Sequence, residues 1–427
     1  LCAAAACSPT SAQHDATRLA HSGSRDAAAS APGATIGSAG LGASASNATQ
    51  DATKPAAAHD SSTSSAARPT SALAFERALL ISVDGLRSDA LQAVPGSELP
   101  NFRRMLNGAA TLNARTDPDY TITLPNHTSM ITGRPVLGPD GHGWIENDDA
   151  APGATLHKNH GSYVACMFDV AHDRGFHTAL FSGKTKFAIY DASYDAENGA
   201  PPVSDSASND AATNAAANAP TNTAGRAAGA SAEHAADAAR GRKKIDTWKY
   251  VAKIEDIADL VIANLSSVEQ RSLVFAHFAL TDLTGHEHGW DVTPRSRYMR
   301  AVASVDRELG RILDAVQSNS ALHGKTVIVL TADHGGGAPF RSHDQSQMWV
   351  DYIIPFLVWS GDGGARADLY ALNADTRRDP GLSSPRLADP GLPPIRNGDA
   401  GNLLLSLLGL PPVPGSVFDA KQDLRIR

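Results

Sequence analysis

Cysteine is scarce: the 427-residue chain has three, at positions 2, 7 and 166. Cys166 falls inside the apolar run 164–168 and reads as a small buried residue, so cysteine chemistry is set aside. Long basic runs are missing too. Lys and Arg total 37 against 45 Asp and Glu, a formal net charge of −8, and the short basic run is Arg240, Arg242, Lys243 and Lys244. It reads as a solvated loop boundary, so polymeric nucleic acid is not expected as a substrate, whereas a small nucleotide remains compatible. No uninterrupted apolar run reaches the about 18 residues that a membrane span needs, so no transmembrane segment is expected.

Large apolar residues are almost absent from two further stretches. Residues 1–72 are mostly Ala, Ser, Thr, Asp and Gly, and residues 204–243 are again alanine-rich with Asn, Asp and Gly. Neither has an apolar stripe to offset the entropy of ordering it. The expected organisation is a disordered leader or tether at 1–72, a catalytic domain in two parts at 73–203 and 244–427, and a low-complexity insert at 204–243. The opening LCAAAAC resembles the tail of a secretion signal, which points to a periplasmic or secreted protein. Cys7, after three alanines, is a candidate lipid anchor.

What the chain does contain is a set of short apolar runs with polar ends. ALLISV at 78–83 runs into Asp84-Gly85, residues 271–280 lead to Thr281-Asp282, TVIVLT at 326–331 leads to Asp333, and 353–359 is a fourth run. Such runs read as buried strands of a parallel sheet. Residues 101–106, 251–265 and 294–316 read as helices, the last amphipathic with proline near its start. Strands alternating with helices predict an α/β sandwich with a central, mostly parallel sheet flanked by helices. Three strands ending in Asp would bring three carboxylates to the carboxyl edge, where open α/β sheets bind ligands.

Those carboxylates have imidazole neighbours. Asp282 and His286 lie four apart in DLTGH, where a turn at Gly285 would let both reach one cation, and His288 is a spare. Asp333 and His334 are adjacent and followed by three glycines, and His343 comes nine residues later. The glycines allow a tight turn and leave room for a ligand. Asp84, Asp282, His286, Asp333, His334 and His343 suffice for two divalent ions, and the mixed oxygen and nitrogen set favours zinc, at about 2.0 to 2.2 Å, over magnesium or calcium. Thr123 in TLPNHTSMITG stands just before a helix expected after Pro125, where free N–H groups favour an anion. Its hydroxyl is the candidate nucleophile; by itself it reads as a helix cap.

The order VDGLR at 83–87, TLPNHTSMITG at 123–133, HGWIEN at 142–147, DLTGH at 282–286 and ADHGG at 332–336 followed by His343 resembles the alkaline phosphatase superfamily. Within it the chain resembles the type I phosphodiesterase/nucleotide pyrophosphatase branch, over roughly 75–195 and 245–415. The resemblance implies an alkaline-phosphatase-like sandwich and two zinc ions. Asp84, Thr123, Asp333 and His334 would hold one, and Asp282, His286 and His343 the other. It also implies that Asn147 and the backbone N–H beside Thr123 contact a non-bridging phosphoryl oxygen. The spacing from Thr123 to Asn147 is longer than the family's usual one, and the gap from His334 to His343 is shorter than in many nucleotide pyrophosphatases.

The implied chemistry is hydrolysis of a small phosphodiester or pyrophosphate through a threonyl-phosphate on Thr123. Trp144, Tyr163, Phe187 and Tyr190 are candidates to line an apolar pocket for a second ester group, and Lys184 and Lys186 to approach an anionic substrate; each also reads as an ordinary core or loop residue. Phosphomonoester and phosphonate hydrolysis are the alternatives on the same site. Sulfatase chemistry would need a formylglycine precursor where Thr123 stands, and cofactor-dependent mutase chemistry fits the short histidine spacing but not an export signal. A secreted protein that binds metal without turnover is the alternative of another class.

Overall fold

The computed structural model describes residues 75–202, 241–267, 270–361, 366–381 and 391–427. The expected leader with Cys2 and Cys7, and all but the last residues of the expected insert, lie outside the described residues.

The strands are β1 (Arg77–Val83), β2 (Ala109–Arg115), β3 (His177–Ser182), β4 (Thr247–Tyr250), β5 (Ser272–Phe278), β6 (Thr326–Thr331), β7 (Ile353–Trp359) and β8 (Ala367–Asp368). They form one sheet in the order β4-β3-β5-β1-β6-β7-β2-β8. β7 runs antiparallel to β6 and β2, and the other pairings are parallel. β1, β5, β6 and β7 are buried at every position, as strands covered on both faces must be. Each fully buried Val, Leu, Ile or Phe there contributes about 1.5–3 kcal/mol relative to exposure.

Register decides where the polar ends emerge. Val83 pairs with Phe278, and Ser82 pairs with both His277 and Thr331, so β5, β1 and β6 stop at one level. Residues just beyond them share one edge. The helix Arg297–Ser318 packs with Ile254–Ser267 and Pro100–Leu106, while Thr123–Thr132, Met167–His172 and Asp399–Leu407 form a second packed group; together they flank the sheet in an alkaline-phosphatase-like α/β sandwich. Ser296 accepts from the Met299 N–H to start the long helix. That helix in turn caps another: Asp306 accepts from the N–H groups of Asn101 and Phe102, the free donors at the start of Pro100–Leu106.

The sequence reading needs correction in three places. β5 ends at Phe278, and Asp282 to His286 lie inside the helix Leu280–His288, with Gly285 in its interior instead of at a turn. Thr123 is the first residue of its helix, after Ile122. Lys244, expected in solvent, is wholly buried and donates to Asp173 at 2.5 Å. β2, β4 and β8 were not expected; β4 and β8 are short edge strands whose residues are half-buried or exposed. Cys166 is buried as expected. No helix among the described residues is long and apolar enough to cross a membrane.

Candidate metal centre and nucleophile

Two groups of ligand-type side chains form where β1, β5 and β6 end. In the first, His334 Nε2 is 3.5 Å from Asp84 Oδ1 and 3.1 Å from Asp333 Oδ2, and Thr123 Oγ1 is 3.4 Å from the same nitrogen. In the second, Asp282 Oδ1 is 3.4 Å from His286 Nε2 and 3.8 Å from His343 Nε2, and the two nitrogens are 3.2 Å apart. Ligand atoms about 2.1 Å from one ion at tetrahedral angles stand about 3.4 Å from each other, so both groups have the spacing of half-built tetrahedra. His334 stands between them: ligand atoms of His334, Asp282 and His343 also lie within 4.8 Å of one another, and the rings of His334 and His343 stack at 3.6 Å.

The helix explains the second group. Positions i and i+4 share a helical face, so Asp282 and His286 converge because the segment is coiled.

Three imidazoles are aimed by the backbone. Nδ1–H of His334 donates to Gly335 O at 2.8 Å, that of His343 to Thr121 O at 2.6 Å, and that of His286 to Arg341 O at 3.0 Å. Each ring thereby turns Nε2 inward, the orientation that outer-shell carbonyls impose on metal-binding histidines. Opposite them, Asp84 Oδ1, Asp282 Oδ1 and Asp333 Oδ2 are buried without a hydrogen-bond partner. Unpartnered buried carboxylate oxygens are costly, and a cation is what satisfies them. The residues therefore fit a divalent metal, and the mixed N and O donor set fits zinc.

The electrostatics agree. Burial would depress the His334 imidazole, but Asp333, Asp84 and Asp282 outweigh it and raise its pKa to about 9. His343, pushed down by burial and then by His334, falls to about 3 and stays neutral. Although burial opposes it, Lys184 and the histidines hold the Asp84 carboxyl well below its usual range. The pocket draws positive charge.

The profile of the type I phosphodiesterase/nucleotide pyrophosphatase family matches residues 78–355, which include all seven of these side chains. The chain belongs to that family. As a family member it is also similar to curated 2,3-bisphosphoglycerate-independent phosphoglycerate mutases: 32% identical over 130 residues to that of Nostoc punctiforme, covering 30% of this chain and 22% of the relative, and 30% identical over 163 residues to that of a Synechococcus strain, covering 37% and 25%. The chain thus spans about a quarter or less of these relatives' length. Among solved structures, murine ectonucleotide pyrophosphatase/phosphodiesterase 5 is 21% identical with a TM-score of 0.37, covering 60% of this chain and 57% of that one. A Vibrio parahaemolyticus protein of the alkaline phosphatase superfamily is 14% identical with a TM-score of 0.47, covering 82% and 72%.

Sequence reasoning underrated or missed several residues in this phosphodiesterase-family site. Lys184, an ordinary loop lysine in sequence, is inside: Nζ is 2.6 Å from Asp84 Oδ2, 2.7 Å from Asp282 Oδ2 and 3.4 Å from Thr123 Oγ1. Burial works against its charge, yet Asp84, Asp282 and Asp333 raise its pKa. Lys186 donates to Asn147 O at 2.9 Å and Oδ1 at 3.0 Å. His277, one residue before the end of β5, lies 2.8 Å from Asp84 Oδ2 through Nε2. His127, buried and depressed by burial and then by His277, donates Nδ1–H to Thr123 O and accepts from Ser82 through Nε2. A polar residue at the end of a strand and a histidine one turn after Thr123 were the available signals.

Asn147 lies beside Thr123, bonded to the next residue. The Leu124 N–H, the backbone donor beside Thr123, donates to Asn147 Oδ1 at 3.0 Å and so orients Asn147. With Lys186 on the same oxygen, the amide is assigned with Nδ2 left as the outward donor. At Gly335 and Gly336 the space of a side chain is filled by protein: an added Cβ would lie 2.0 Å from Val350 O and 2.2 Å from the Trp290 indole. Phe187 and Tyr190 are wholly buried, Trp144 nearly so, and Tyr163 stacks on His157, so none of the four forms an open apolar wall. His288 bonds Arg297 at 2.9 Å.

Proposed function

We propose that this chain hydrolyses phosphodiester or pyrophosphate bonds of a small substrate, a nucleotide among the candidates, through a phosphothreonine at Thr123 with two zinc ions. The observation that carries the reading is the convergence of three backbone-aimed imidazoles and three unpartnered carboxylate oxygens beside one buried hydroxyl. Asp84, Asp333, His334 and Thr123 would hold one zinc, and Asp282, His286 and His343 the other. Bound there, zinc supplies Lewis acidity that lowers the pKa of the Thr123 hydroxyl and stabilises the departing oxygen. Thr123 Oγ forms a bond to phosphorus as the bond to the leaving oxygen breaks, with that electron pair and the hydroxyl proton leaving on the alcohol or phosphate. Water then displaces Oγ, its oxygen bonding to phosphorus and one of its protons going to Thr123. Asn147 Nδ2 offers its protons to an equatorial oxygen, held there by Leu124 and Lys186.

Zinc-loaded enzyme with p-nitrophenyl phosphate and bis-p-nitrophenyl phosphate tests the reading. Preference for the diester supports it. The diester assignment follows the family.

A specific observation favours a second reading. Lys184 and Lys186 place two amines around Thr123 and Asn147, charge that suits the extra negative oxygen of a monoester or phosphonate. On that reading Lys186→Met, which loosens Asn147 for both substrates, costs monoester kcat/KM about 10- to 100-fold more than diester kcat/KM, the further loss being one charge-assisted hydrogen bond. Equal losses on both substrates would count against it. The relatives named as mutases match over too little of their length for their reaction to carry across.

A further inference from the structure

Trp290 belongs to neither ligand group, yet it touches the chain beside Asp84, Asp282, His286, His334 and His343. It is 3% exposed and follows Gly289, which ends the helix Leu280–His288. Its Nε1–H donates to the carbonyl of Gly85, next to Asp84, at 3.0 Å. The Gly85 N–H in turn donates to Asp333 Oδ1 at 3.1 Å. The indole lies against two glycine backbones at once: a Cβ built on Gly285, between Asp282 and His286, would come within 2.2 Å of Cε2, and one on Gly336, just after His334, would meet the same atom at 2.2 Å. Its ring also meets the imidazoles of His286 and His343 edge to face, with centroids 5.1 Å and 5.9 Å away. Finally, Arg87 Nη1–H donates to the Trp290 carbonyl at 3.1 Å.

We propose that Trp290 is the positioning residue that fixes the two ligand groups relative to one another, and that Gly285 and Gly336 are glycines because its indole occupies the space of a side chain at both. The inference rests on the two-zinc reading above. One side chain thereby joins the ends of β1 and β6, the helix Leu280–His288 and His343. The second group depends on it more. His286, whose side chain is 44% exposed, gets little confinement from the core and is braced by the indole edge, whereas Asp84, Asp333 and His334 are wholly buried. Ligands loosened by losing such a support bind metal about 10- to 100-fold more weakly.

Zinc titration against a competing chelator, on the full chain, reads this directly. In Trp290→Leu the second zinc equivalent is expected to weaken about 10- to 100-fold and the first to change by much less. A residue that only filled space would lower thermal stability and leave the ratio of the two affinities alone, and that outcome would overturn the inference. A second test does not need Trp290→Leu to fold. Gly285→Ala should weaken the second equivalent by collision with the indole, and in a Trp290→Ala background, where no ring meets that Cβ, the same substitution should cost little more. Simple addition of the two single effects would contradict the proposed contact. Wild-type enzyme that binds fewer than two equivalents would instead overturn the two-zinc reading, and this inference with it.

Discussion

Thr123→Ala is expected to lower hydrolysis of both model esters by at least about a thousandfold, the scale on which removal of a covalent nucleophile registers. The argument is local. Thr123 opens its helix, its Oγ1 lies 3.4 Å from His334 Nε2 and from Lys184 Nζ, and its carbonyl is held by His127. The backbone is thereby fixed and the hydroxyl faces the candidate metal ligands. Alanine keeps the helix start and removes the oxygen, so far-ultraviolet circular dichroism should be unchanged while turnover disappears. Thr123→Ser, which keeps the oxygen without the methyl group, should retain measurable activity. Wild-type rates in the alanine variant would remove Thr123 from the mechanism.

The second large effect is expected from the ligands. Asp282→Ala should reduce zinc affinity by more than about 100-fold, the upper end for outer-shell partners, and reduce turnover with it, because Asp282 Oδ1 is the oxygen on which His286 and His343 converge. Chelation should reproduce the loss of activity in the wild type, and zinc should reverse it. Stability should follow binding. Zinc at about 100 times its dissociation constant adds about 2.7 kcal/mol per site to the folded state, so calorimetry should show a higher Tm with zinc and a clearly smaller rise in Asp282→Ala, which keeps the first group alone. An unchanged Tm on zinc addition to the wild type would argue that no metal binds there.

The fold was legible where burial leaves a simple trace. β1 and β6 are continuous apolar runs because both faces are covered, and the Asp after each reveals the edge. Asp282 and His286 were legible as a pair, but through a turn that does not exist. A four-residue spacing serves a helix as well as a loop, and Gly285 suggested the loop because its real partner, the Trp290 indole, is invisible in the spacing. Lys184 was legible only as a loop lysine that could approach an anion, because its carboxylate partners are 100 and 98 residues away and nothing local separates an inward lysine from a solvated one. Lys244 misled for the same reason. The orientation of Asn147 depends on an N–H 23 residues earlier, and only the folded chain brings the two together.

The most direct test of the central claim is to quench zinc-loaded enzyme in acid during turnover of bis-p-nitrophenyl phosphate and map the digest by mass spectrometry. The account predicts a phosphoryl adduct on the peptide containing Thr123, assigned to that residue by fragmentation and absent from Thr123→Ala. An enzyme that turns over the ester rapidly, with a burst of nitrophenol but the adduct on another residue, would contradict it.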